Sequence, residues 1–115
     1  MPTKKTRYKS FGSPKNEELE DITFELYKEE YVSRPEIQGV HLLRFSHRIA
    51  SDDQEAVTGA LLDFFKLVLY PESYERLEVL WEDPDRIVPI EVLSDIVAFL
   101  VEEYTSRPTQ ASSES

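Results

Sequence analysis

The sequence predicts a mainly α-helical fold with a short N-terminal β-hairpin, an α+β arrangement in which three or four short helices form a small bundle between disordered termini. Three observations lead there. One stretch, residues 21–27, alternates apolar and polar side chains with the period of two of a half-buried strand. From residue 57 onward the apolar residues recur instead at helical spacing. Both ends of the 115-residue chain lack the large apolar side chains a core needs.

The elements follow in order. Ile22, Phe24 and Leu26 share one side of the first strand, with Thr23, Glu25 and Tyr27 on the other. Lys28, Glu29 and Glu30 read as a polar break, after which Tyr31, Val32 and Ser33 return as a short second strand. That turn lacks the Asn-Gly or Asp-Gly pair of a tight hairpin. Arg34-Pro35 ends the extended stretch, and Val40, Leu42, Leu43, Phe45 and Ile49 suit a short helix starting near Pro35 or Gly39. Ser51 to Gln54 has the form of a capping box, with Ser51 as N-cap and Gln54 reaching back. The helix it opens places Val57, Leu61, Phe64, Phe65 and Val68 on a broad apolar stripe. Pro71 and Glu72 suit the first turn of the next helix, whose apolar face is Tyr74, Leu77, Leu80 and Trp81. The Asp83-Pro84-Asp85 link breaks it. Pro89 opens the last helix, where Leu93, Ile96, Val97, Leu100, Val101 and Tyr104 give the cleanest periodicity in the chain.

Charge divides the chain unevenly. The first 15 residues hold five basic groups and no acid, while the other 100 hold 8 basic and 23 acidic groups. The predicted organisation is a disordered basic arm over residues 1–20, a folded domain over 21–104 and a flexible Ser-rich tail over 105–115. Neither end buries enough surface to offset an ordering entropy of roughly 1–2 kcal/mol per residue. A domain this small is marginal alone, so a partner or self-association is expected to support it.

Composition excludes several classes of function. A formal net charge of −10 argues against nucleic acid as a partner, because phosphate contacts need clustered Lys and Arg. Cys is absent, which removes disulfide scaffolds, thiolate metal sites and cysteine nucleophiles. No apolar run approaches the ~20 residues that span a bilayer, and Lys4, Lys5, Arg7 and Lys9 precede no signal-like apolar stretch. A soluble, intracellular domain with no membrane partner is the expectation. His41 and His47 stand six apart, off the spacing of two ligands on one helix face. The acidic pairs fall on exposed helix faces or in first turns, where the helix dipole accounts for them. The three glycines are scattered and cradle no phosphate, and no serine has an oriented His–acid pair. No cofactor, metal or catalytic residue is assigned, and no enzyme is expected.

Aromatic content is the remaining signal. Phe64, Phe65, Tyr70, Tyr74, Trp81, Phe99 and Tyr104 crowd the helical half, and core packing claims most of them. Phe65, Leu67, Leu69, Val79, Val92 and Phe99 lie partly off the main stripes, however. Helices apolar on more than one face usually bury the second face against another chain. Phe65, Trp81, Phe99 and Tyr104 are therefore the candidate partner-binding residues, in a groove between the last two helices that would receive client helices.

The C-terminal run 87–109, ending Val101-Glu102-Glu103-Tyr104-Thr105-Ser106-Arg107-Pro108-Thr109, resembles the tail assembly chaperones of long-tailed (siphovirus) phages infecting actinobacteria. These are similar in role to the G protein of lambda-type phages. The strand near Ile22, the Arg34-Pro35-Glu36-Ile37 turn with Gly39, and the Asp83-Pro84-Asp85-Arg86 link are further landmarks, so the resemblance spans residues 21–109. It implies a non-catalytic protein of the host cell cytoplasm. Such a chaperone binds the tape measure protein, keeps it soluble, helps recruit the major tail (tube) protein and is not retained in the virion. It also implies a second, longer product made by programmed translational frameshift near the end of the first frame. Arg107 and Pro108 match the motif and join the candidate partner-binding residues. The rival reading is a small acidic regulator that occupies a basic, nucleic-acid-binding protein surface by mimicking phosphate charge. Rising salt would weaken such a complex.

Overall fold

The computed structural model describes residues 7–9, 11 and 19–106. A two-stranded hairpin, β1 (Ile22–Leu26) and β2 (Glu29–Ser33), precedes four helices: α1 (Gly39–Ile49), α2 (Gln54–Val68), α3 (Pro71–Glu82) and α4 (Ile90–Ser106). The helical bundle with its N-terminal hairpin is thus the architecture that the alternation and the helical stripes predict. Most of the basic arm, and the tail beyond Ser106, lie outside the described residues.

The strands are antiparallel, with Phe24 opposite Tyr31 and Leu26 opposite Glu29. Glu29 and Glu30 therefore belong to β2, which corrects the three-residue polar break read from the sequence. The connection is only Tyr27-Lys28, both left-handed at φ 52° and 69°. A two-residue loop with both φ positive is the geometry whose twist suits a hairpin. Tyr27 is held there from outside the loop, because its hydroxyl donates to the Ile87 carbonyl at 2.6 Å.

Tertiary structure covers the far edge of β2. The Arg34 amide donates to the Val68 carbonyl, and the Tyr70 amide to the Val32 carbonyl, so the α2–α3 connection pairs like a third strand. The Val32 amide donates to the buried Ser73 Oγ at 2.9 Å, and the Ser33 hydroxyl to the Ile22 carbonyl at 2.7 Å. Backbone groups that would template aggregation are thereby paired within the chain. Arg76 fastens α3 to the same strand. Its guanidinium lies 4.7 Å from the Tyr31 ring centre, pairs with Glu72 and Glu29, and donates to the Glu30 carbonyl.

α2 is the central element, packing against α1, α3 and α4, while the hairpin closes over α3 and α4. Ala60, Phe64, Phe65 and Val68 of α2 meet Phe45, Leu77, Leu80, Val97 and Leu100 in the core. The capping box predicted at Ser51 is not formed. The helix starts at Gln54, its N-cap is Asp53, which accepts from the Glu55 amide, and Ser51 Oγ, two residues earlier, accepts from the Asp53 amide. A carboxylate nearer the helix is the stronger acceptor and suits the positive end of the dipole. Asp52 and Asp53 consequently precede the first turn instead of occupying it. α4 also runs two residues past the predicted domain end at Tyr104. The hydroxyls of Thr105 and Ser106 donate back to the Val101 and Glu102 carbonyls, four residues earlier in the same helix.

Candidate functional site

The structure scatters the sequence-predicted aromatics. Phe65 is 0% exposed, its ring edge-on to Trp81 at 5.8 Å, so it is a core residue and offers nothing to a partner. Its place on a second apolar stripe has an internal cause: α2 is covered on several sides by the chain's own helices. Trp81 is half-buried between Phe65 and Tyr74. Tyr104 is half-buried too; its hydroxyl donates to the Arg34 carbonyl at 2.7 Å and its ring meets Phe64 edge-on. Phe99 alone of these four reaches the surface appreciably, at 39% exposure on α4. Arg107 and Pro108 lie outside the described residues.

α2 packs against both α3 and α4, and among the described residues α3 and α4 share no extensive contact of their own. Two cavities sit along α1. One, of about 440 Å³, is floored by Phe45, Phe64 and Leu67 and rimmed by His41, Arg44, Arg48, Asp63 and Lys66. A second, of about 390 Å³, continues from it through the shared His41 and Leu67 to Arg34, Glu36 and the start of α1.

Local sequence explains how the rim is set. His41, Arg44, Phe45 and Arg48 fall at i, i+3, i+4 and i+7, one face of α1, while Asp63, Lys66 and Leu67 repeat that spacing on α2. Arg48 pairs with Asp63 at 2.9 Å. Its guanidinium also lies where a Cβ at position 59 would come within 3.2 Å, so Gly59 leaves it room against α2. Arg48 and Lys66 stand in the last turns of their helices, at the negative end of each dipole. Arg34 leans over the Tyr70 ring at 5.0 Å and donates to the Leu67 carbonyl. The Tyr70 hydroxyl donates to Asp21, a bond that pushes its pKa above the ordinary tyrosine value.

The resulting charge distribution is lopsided. Residues 19–106 hold seven Lys and Arg against twenty Asp and Glu. Four of the seven cations, Arg34, Arg44, Arg48 and Lys66, line the two cavities, with only Glu36 and Asp63 of the acids. Among the described residues, Arg44 and Lys66 make no ion pair, whereas Arg48, Arg76 and Arg86 all do. Off the groove face of α1, Leu43 is 72% exposed and Val40 48%. Sequence reasoning overlooked this rim. Its trace was nonetheless present, since α1 carries His41, Arg44, His47 and Arg48 and no acid within an otherwise acidic chain. An apolar floor inside a cationic rim can seat a side chain and hold a carboxylate beside it; nothing in it arranges a nucleophile against a base.

Among the described residues, no three His, Asp or Glu side chains converge, and no helix is long and apolar enough to cross a membrane. No family model, no curated protein and no solved structure matches this chain.

Proposed function

We infer that this protein is a non-catalytic helix-binding chaperone of the phage tail assembly type, acting on the tape measure protein and helping to bring in the major tail protein. The observation that carries the reading is the resemblance of residues 87–109 to the end of that family's last helix. The surface supports it. Exposed apolar side chains occur on all four helices, among them Leu43, Leu62, Val79 and Phe99, and an open groove with an apolar floor runs along α1. Such a surface suits weak, repeated contact with helical segments that would otherwise aggregate. Net negative charge keeps loaded complexes apart. The tube-protein contact, the cytoplasmic site of action and a longer frameshifted product belong to the same proposal.

The acidic-regulator reading rests on a different face. α4 carries Glu91, Asp95, Glu102 and Glu103 and no Lys or Arg. Phosphate mimicry needs a continuous anionic stripe, and that reading would have to find it on α4. Light scattering on dilution of denatured tape measure protein decides for the chaperone. Scattering should be suppressed at stoichiometric ratios of this protein. Equal scattering with and without it would reject the reading.

A further inference from the structure

We propose that the α1–α2 groove is a receptor for an acidic amphipathic helix, a partner segment with one or two large apolar residues flanked by Asp or Glu. The floor of Phe45, Phe64 and Leu67 offers apolar surface at the bottom of an opening of about 440 Å³. Around it stand Arg44, Arg48 and Lys66, of which Arg44 and Lys66 have no carboxylate partner among the described residues. Twenty acids in residues 19–106 could have supplied partners, and the fold pairs three other arginines with them. Cations left unpaired around an apolar floor, in a protein otherwise strongly acidic, are complementary to a ligand bearing both carboxylates and apolar side chains. Arginine can receive a carboxylate through two parallel N–H donors, which also fixes the direction of the bound helix.

Two alternatives fit less well. A bare anion would gain nothing from the apolar floor. A nucleic acid would meet the repulsion of the acidic body on either side of a short cationic patch. The assignment rests on the chaperone reading only in naming the client as the natural source of such a helix.

The test is an amide NMR titration of the full chain with a synthetic, end-capped helical peptide carrying Leu and Phe on one face and Glu on both flanks. The comparison is its twin with every Glu replaced by Lys. Shifts are expected to concentrate at His41, Arg44, Arg48, Lys66 and Leu67, with the Lys twin at least tenfold weaker. Arg44→Glu with Lys66→Glu should weaken the Glu peptide by about tenfold or more, since two attractions become repulsions. The milder Arg44→Gln with Lys66→Gln should weaken it a few-fold in a chain whose spectrum is otherwise unchanged. Equal binding of the twins, shifts centred elsewhere, insensitivity to both double variants, or no binding at millimolar peptide would each overturn the proposal. So would a single-stranded oligonucleotide binding the same residues more tightly than the peptide. If the peptide maps to the groove while tape measure protein still aggregates, the chaperone reading fails and the groove stands. If the groove variants protect the client as well as the natural chain does, the chaperone stands and this use of the groove fails.

Discussion

Replacing Phe65 by alanine separates a core role from a partner-binding role. The ring is fully buried in α2, against Trp81 of α3, with Phe64, Val68, Leu77 and Leu80 in the same core. Truncation removes the transfer energy of the ring and leaves a cavity that the surrounding helices refill only in part, together about 3–5 kcal/mol. Ordinary stabilities of ~0.05–0.15 kcal/mol per residue set the whole domain at roughly 4–13 kcal/mol. The substitution therefore removes a large share of it. Urea unfolding reports this directly through Trp81, the single tryptophan, whose ring lies 5.8 Å from that of Phe65. With a urea slope of about 1–1.5 kcal/mol per molar, the midpoint should fall by about 2 M or more. Phe99→Ala serves as the contrast, since a residue 39% exposed on α4 should cost about 1 kcal/mol. Phe65→Ala within about 1 kcal/mol of the natural chain, with Trp81 emission unchanged, would refute the packing argument and return Phe65 to the candidate binding residues.

Other perturbations follow from single contacts. Tyr104→Phe removes the 2.7 Å bond to the Arg34 carbonyl that ties the end of α4 to the start of the α1 approach, and should cost about 1 kcal/mol in urea unfolding; an unchanged midpoint would show the bond to be unimportant. Lys28→Gly relieves a left-handed residue at φ 69° and should stabilise by about 0.5–1 kcal/mol, so a loss of stability would contradict the turn geometry. Asp83 accepts from the Asp85 amide and pairs with Arg86, which together hold its carboxyl below the ordinary aspartate value. Because its folded pKa is depressed, the stability it confers is present above the unfolded value, near 4, and is lost as pH falls through the folded one. The melting temperature difference between Asp83→Ala and the natural chain should thus be present at pH 7 and vanish in strong acid; a difference that persists there would show that the charge is not its source.

Periodicity made most of the fold legible. Alternation at Ile22, Phe24 and Leu26 and the stripes of α2, α3 and α4 reflect burial on one face, and burial is what those elements share in the structure. What escaped depends on contacts remote in sequence. The two-residue turn at Tyr27-Lys28 carries no glycine, and part of its support comes from Ile87, sixty residues away. The N-cap moved from Ser51 to Asp53 because several adjacent side chains could serve, and only the helix start selects among them. Phe65 misled for a related reason: an apolar second face says that something covers it, without saying whether a partner or the same chain does. The cationic groove was the hardest to see, since Arg44, Arg48 and Lys66 meet only when α1 folds back on α2.

Co-expression with a phage tape measure protein, scored by soluble co-purification at moderate salt, tests the proposed chaperone role most directly. A helix-binding chaperone should yield a soluble complex with many copies per client, because its contacts are largely apolar and persist when surface charges are screened. A client that stays insoluble while this protein purifies alone would contradict the chaperone reading and favour the acidic regulator.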